Sequence, residues 1–331
     1  MSEELLYYTR SGKVECIHRG NIAVVDGKGR LQYSVGQAEK KMFWRSAAKP
    51  FQVLPLIERG GMETFSLTQQ EVAIMTASHS GEPEHVQLIE RLLAKLGFTT
   101  ADLTCGSARP MSGKAAKELM CSNLPYQAVH NPCSGKHSGM LALAKLLGVS
   151  AENYAALEHP VQQHMLEAVS RAAGLESSMV ETGIDGCGVP VFYLPLKHMA
   201  QAYAKLGKPV ENDWQKSTAA VTVIRDAMLK YPQLVAGSGR LDTAIMQVTR
   251  GRILAKVGAE AVYCLALPAD GLGVALKIDD GGNRPLAPVV LSLLKKMEWI
   301  SASEFETLSD KFPFTQKNHR GDIIGTVEAV F

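Results

Sequence analysis

The strongest constraint in this chain is a change of hydrophobic period: its two ends alternate every second residue, whereas its middle repeats at helical spacing. Leu5 to Thr9, then VECIHR, then NIAVVDGKGRLQYSV read as strands, with Asp26-Gly27 and Gly29 supplying the positive-φ positions that reverse an antiparallel pair. Toward the other end RGRILAKVGAEAVYCLAL and GLGVALKIDDGG return to strand character, and a helix over APVVLSLLKKMEWIS precedes a closing strand in RGDIIGTVEAVF. Between them EPEHVQLIERLLAKLGF sets Val86, Ile89, Leu92, Leu93 and Leu96 on one helical face, opening at Pro83 and stopping at Gly97. The segment SGMLALAKLLG, expected to start near Ser138 and end at Gly148, is apolar nearly all round and therefore buried. Another helix follows Pro160 and stops at Gly174. Strands from both termini enclosing a helical middle predict an α+β fold, with a mainly antiparallel central sheet built from the N- and C-terminal segments and flanked by helices. No repeat, low-complexity tract or linker divides residues 1–331, so a single domain is expected.

Charge narrows the function classes. The 35 basic and 33 acidic residues nearly cancel and form no basic run, which argues against a nucleic-acid partner and for a small neutral or zwitterionic one. The longest apolar helical run, Met140 to Val149, contains Lys145 and is too short to span a bilayer. MSEELLYYTR carries acidic residues where a secretory leader needs positive charge, so a cytoplasmic protein is expected. Six scattered cysteines in such a setting are free thiols, and Cys264 in AVYCLAL reads as core.

Several short motifs carry chemistry. In FWRSAAKPFQ, Ser46 and Lys49 lie three apart on one helical face. They are either a serine nucleophile with its proton acceptor or an ordinary turn at Lys49-Pro50. TASHSGEPEH places Ser78, His79, Ser80 and His85 before the helix at Pro83, as caps or as a site; the H-E-x-x-H zinc spacing is not met. HNPCSGKHSGM sets Cys133, Lys136 and His137 at a helix entrance that favours a thiolate, and it lacks the Gly and Ser/Thr of a phosphate loop. Cys187 sits in the Gly-rich GIDGCGVPV. Two thiols in two such turns, with His137 or Lys136, make a candidate zinc site with one open position, unless they are unrelated. VAGSGRLDT places Arg240, Asp242 and Thr243 as a capped helix with an ion pair, or as support for a site. In LAKVGAE, Lys256 precedes Gly258 in the K-x-G relation that follows S-x-x-K in penicillin-recognising enzymes.

With RSAAKP, ASHSGEPEH, NPCSGKHSGM, DGCGVP, VAGSGRLDT and KVGAE all present in this order, the chain resembles the thermolabile, serine β-lactamase-like L-asparaginase family of the zinc-containing type over nearly its whole length. The resemblance implies a serine β-lactamase-like fold, hydrolysis of the side-chain amide of L-asparagine to aspartate and ammonia through a serine acyl-enzyme, and a homodimer. It implies Ser46 as nucleophile and Lys49 as base, with Ser78 and Lys256 completing two Ser and Lys pairs, and Zn2+ on Cys133, Lys136 and Cys187. Arg45 and Asp185 are assigned to the substrate's α-carboxylate and α-amine, and His137 is placed beside them. The S-D-N and K-T-G triplets of β-lactamases are absent in literal form, which disfavours penicillin recognition. The competing readings are a penicillin-recognising or other serine amidase or esterase on the same fold, and a non-catalytic amino-acid or zinc sensor.

Overall fold

The computed structural model describes residues 1–212 and 214–331. Eleven strands are found there: β1 Glu3–Arg10, β2 Lys13–Asp26, β3 Leu31–Val35, β4 Lys41–Phe43, β5 Glu181–Ile184, β6 Pro190–Pro195, β7 Leu254–Gly258, β8 Val262–Leu267, β9 Leu272–Ile278, β10 Thr315–Lys317 and β11 Ile323–Ala329. The larger sheet runs β10-β11-β1-β2-β9-β8-β7 with β3 on β2, and its pairings are antiparallel. The N-terminal hairpin is thus sandwiched between C-terminal strands, as the two-ended strand pattern predicts.

Local chemistry sets these pairings. Ser11 and Gly12 both take positive φ, 48° and 77°, which gives the two-residue turn whose twist matches a hairpin, here joining β1 to β2. The two expected strands VECIHR and NIAVVD are one 14-residue strand whose outer half is exposed and inner half buried. Every residue of β8 is buried, which explains its unbroken apolar run. The helix Leu196–Gly207 lies across β2, β8 and β9, and the helix Leu286–Lys296 lies against β1 and β11.

The helical middle follows its signals. Helix Pro83–Leu96 has Pro at its start and ends at Gly97 with φ 78°. It buries Leu88, Ile89, Leu92, Leu93 and Leu96, while Val86 at the edge of the stripe is half-buried. The helix expected from Ser138 begins four residues earlier, at Ser134, because the polar run SGKHS is buried as well. Periodicity cannot register a helix whose polar residues face inward. A second sheet, β4-β6-β5, lies outside the sequence reading: β4 and β5, of three and four residues, are too short to show alternation, and the six-residue β6 begins and ends on proline. One contiguous apolar core joins both sheets to the helices, and no described helix is long and apolar enough to cross a membrane.

Helix and sheet approach closely at Gly273 of β9, where a Cβ would lie 1.9 Å from the Ala200 carbonyl oxygen. Gly273→Ala is expected to destabilise the protein by about 3 kcal/mol, the upper range for overpacking against an unyielding backbone. Gly113→Ala, where a Cβ meets nothing within 4 Å, serves as the control in urea titrations and should fall within about 0.5 kcal/mol of the parent.

Candidate active site

Ser46 lies in a 3-10 turn, Arg45–Ala48, that continues into the short helix Lys49–Gln52. Arg45 holds φ at 53°, a strained conformation for a side-chain-bearing residue. The segment is braced from below: Trp44 and Phe51 stack at 5.2 Å, Phe51 meets Tyr203 edge-on at 5.6 Å, and the Tyr203 hydroxyl donates to Ala47 O at 2.8 Å. Strand β7 passes close alongside, so that a Cβ on Gly258 would meet Trp44 O at 2.9 Å. Ser46 is half-buried, and among the described residues its hydroxyl has no hydrogen-bond partner.

Two buried lysines accompany it, Lys49 in the helix that continues the turn and Lys256 on β7. Lys49, 1% exposed, donates to Ala77 O at 2.6 Å, Ser78 Oγ at 3.1 Å and Pro132 O at 3.2 Å. Lys256, 0% exposed on β7, donates to Ser78 Oγ at 3.0 Å and Val257 O at 2.9 Å. One hydroxyl therefore bridges two amines, and it can donate its own proton only to an amine that is neutral. Burial lowers the Lys49 pKa and pulls Lys256 down to about 7, the latter against the attraction of Asp242. Asp242 accepts the Val257 N–H at 2.5 Å and so anchors β7 one residue from Lys256.

The second cluster adjoins the first. Cys133 caps the helix Ser134–Leu147, whose crossing with the helix Gln69–Met75 is so close that a Cβ on Gly135 would lie 2.1 Å from Ile74 O. Cys187 occupies the hairpin turn between β5 and β6, closed by the Gly188 N–H on Asp185 O at 2.9 Å. These distant turns meet: the Cys187 thiol hydrogen-bonds Cys133, and Lys136 Nζ lies 3.1 Å from Cys187 Sγ. The Cys187 hydrogen bond, followed by the Lys49 and Lys136 charges, depresses the Cys133 pKa against the pull of burial. Burial opposes the Lys136 ammonium, but Cys133, Cys187 and Asp185 outweigh it and raise its pKa. Among the described residues no group of three His, Cys, Asp or Glu side chains is placed to hold a metal ion. The donors that do converge are the Cys133 and Cys187 sulfurs and the Lys136 amine, and the amine could join a metal only by losing the proton that its raised pKa favours.

Arg45 Nε donates to Asp185 Oδ1 at 2.9 Å, so the two groups assigned to a substrate's opposite charges stand side by side. His137 is fully buried; its Nδ1 meets the Tyr154 hydroxyl at 2.7 Å, and its Nε2 has no partner among the described residues. Burial, then the Lys136 and Lys49 charges, holds His137 neutral.

Other expectations resolve differently. His79 and His85 are structural: each Nδ1 accepts a backbone N–H at 3.1 Å, from Gly81 and Glu82 respectively, and each Nε2 meets a second protein partner. The ion pair expected in VAGSGRLDT is absent among the described residues. Arg240 Nη1 contacts Met111 Sδ at 3.3 Å, and the Asp242 carboxylate serves Val257 instead. Sequence reasoning missed the Ala77 and Pro132 carbonyls that hold Lys49, and a backbone acceptor leaves no trace in residue identity.

A β-lactamase from Mycobacterium bovis superposes with a TM-score of 0.42 at 14% identity, covering 84% of this chain and 94% of that one. Mglu in its glutamate form gives a TM-score of 0.39 at 14% identity, covering 85% of this chain and 61% of that one. No curated protein matches the chain. A family model described as L-asparaginase II matches residues 6–329, nearly the whole length, and the chain therefore belongs to the L-asparaginase II family, hydrolases acting on amides.

Proposed function

We propose that the protein hydrolyses the side-chain amide of L-asparagine to aspartate and ammonia through an acyl-enzyme on Ser46, as a single catalytic unit spanning residues 1–331. The observation that carries this reading is the Ser78 hydroxyl held between the Lys49 and Lys256 amines, with Lys49 three residues after Ser46 in the same turn and the Ser46 hydroxyl without a partner among the described residues. Lys49, when neutral, takes the Ser46 proton as Oγ attacks the amide carbon. Backbone N–H groups at the start of the 3-10 turn, where Ser46 has no intrahelical acceptor, face the oxyanion. The proton passes through Ser78 to the departing nitrogen and ammonia leaves. Water, deprotonated by the same amine, then opens the ester and restores Ser46. The Arg45 and Asp185 pair fits a zwitterion, whose carboxylate and ammonium would replace one ion pair by two.

Zinc on Cys133, Lys136 and Cys187 supplies, when bound, a Lewis acid or a rigid brace beside the substrate. Lys136 would have to lose its proton to join it. His137, held neutral and with Nε2 unpartnered among the described residues, is a further polar group that a substrate could engage. We also take the working form to be a cytoplasmic homodimer, which light scattering and fractionation check.

The direct test is ammonia release from asparagine and glutamine side by side. Asparagine should turn over and glutamine should lag; release from neither would end the asparaginase reading. Ser46→Ala should remain folded and lose at least about a thousandfold in kcat. Wild-type turnover in that variant would move the nucleophile to Ser78. Lys49→Arg should be nearly as damaging, because guanidinium stays protonated.

The pH profile follows from the buried amines. With a pKa of about 7, Lys256 carries its proton on the acid side and cannot then accept one from the Ser78 hydroxyl. Thus kcat/KM should rise with pH through about 7 and fall away below it; a flat profile across that range would remove the lysine pair from proton transfer. For the metal, freshly purified protein should contain one zinc per chain by elemental analysis. Cys133→Ser or Cys187→Ser should weaken its uptake sharply, and so should acid, since thiolates must form to bind. No zinc and no uptake on titration would dismiss the site and leave the serine chemistry standing.

A further inference from the structure

A cavity of about 440 Å3, which the chemistry above does not use, sees β7 from the other side. Along a strand successive side chains face opposite ways. Lys256 points to Ser78, whereas the next residue, Val257, lines this cavity together with its cross-strand partner Tyr263. None of Ser46, Lys49, Ser78, Lys256, Arg45 or Asp185 lines it.

Its electrostatics are one-sided. Three cationic side chains, Arg240, Arg284 and Lys311, border it, against a single carboxylate, Asp242, which the Val257 N–H already occupies. Arg240 has only a thioether sulfur as hydrogen-bond partner, and Lys311 has no hydrogen-bond or ion-pair partner among the described residues. Two helices also begin at its wall: Leu241 opens the helix Leu241–Val248 and Leu286 opens the helix Leu286–Lys296, so the positive ends of both dipoles face it. A third, independent sign is the Tyr263 phenol. The residue lines the cavity, its side chain is 0% exposed, and its hydroxyl is buried without a partner among the described residues. Such a group is costly to leave unpaired, and a ligand oxygen would satisfy it. The remaining walls are apolar, with Met111, Pro288, Phe312 and Pro313 among them.

We infer that this cavity is a second ligand site, separate from the Ser46 cluster, for a small organic anion: a carboxylate or phosphate head carried on an apolar or aromatic body. The head meets Arg284, Lys311 and the helix starts, where charge-assisted hydrogen bonds are strongest. The body fills the apolar wall, as expected of a pocket with few convergent polar groups.

Isothermal titration of the full chain with benzoate, adenosine monophosphate, acetate and inorganic phosphate tests the site. The expected result is one-to-one binding of benzoate or the nucleotide with Kd below about 1 mM, and weaker binding of the two heads without a body. The stronger of the first two identifies the head group. Arg284→Ala with Lys311→Ala, both at exposed positions, should weaken binding by about tenfold or more, Tyr263→Phe should weaken it less, and Arg45→Met should leave it unchanged. Melting temperatures of the variants establish that they are folded. No saturation by any probe up to about 10 mM overturns the site, as does a folded double variant that binds like the parent or an Arg45→Met variant that loses binding.

Discussion

Two amines packed against one hydroxyl are the constraint around which this molecule is built. A buried ammonium costs several kcal/mol unless acceptors surround it, and Lys49 and Lys256 lie at 1% and 0% exposure. Their acceptors come from separate places: the chain after the helix Gln69–Met75 gives Ala77 O and Ser78, the loop before Ser134 gives Pro132 O, and β7 gives Val257 O. Each must arrive in register, so both the sheet and the helical middle are committed to the same point. Burial of this kind weakens the fold locally and, by lowering both lysine pKa values, creates a proton acceptor near neutral pH.

The segment that carries Ser46 is positioned mainly by packing. Trp44, Phe51 and Tyr203 form a rigid floor under residues 45–52, and the Tyr203 hydroxyl ties that floor to Ala47. On the other side the backbone of β7 leaves no room for a side chain at Gly258. Held between the two, Arg45 adopts its left-handed backbone, and the half-buried Ser46 hydroxyl has no hydrogen-bond partner among the described residues.

Charge balance ties the second cluster to the first. Lys136 and Lys49 both act on the Cys133 thiol, Asp185 and the two thiols act back on Lys136, and Arg45 neutralises Asp185. Removing one member leaves another buried charge uncompensated, so these residues respond as a unit and their substitutions will not add. The cavity behind β7 connects with this frame through Asp242, whose carboxylate holds the strand that presents Lys256.

Much of this architecture follows from local pattern. Alternation at both ends fixed an antiparallel sheet of terminal segments, and Pro83, Gly97, Gly148 and Gly174 bounded the helices because these residues act on the backbone wherever they stand. The motifs around Ser46, Ser78, Cys133, Cys187 and Lys256 were legible because polar residues between apolar ones are conspicuous in a line of text. What tertiary structure alone decided is which partners they meet. Nothing in spacing brings Cys187 across to Lys136, turns Asp242 from Arg240 to Val257, or aims Lys49 at two carbonyls and Ser78. Those choices depend on close crossings such as Gly135 over Ile74 and on backbone acceptors common to every residue, and both come into being only when distant segments pack.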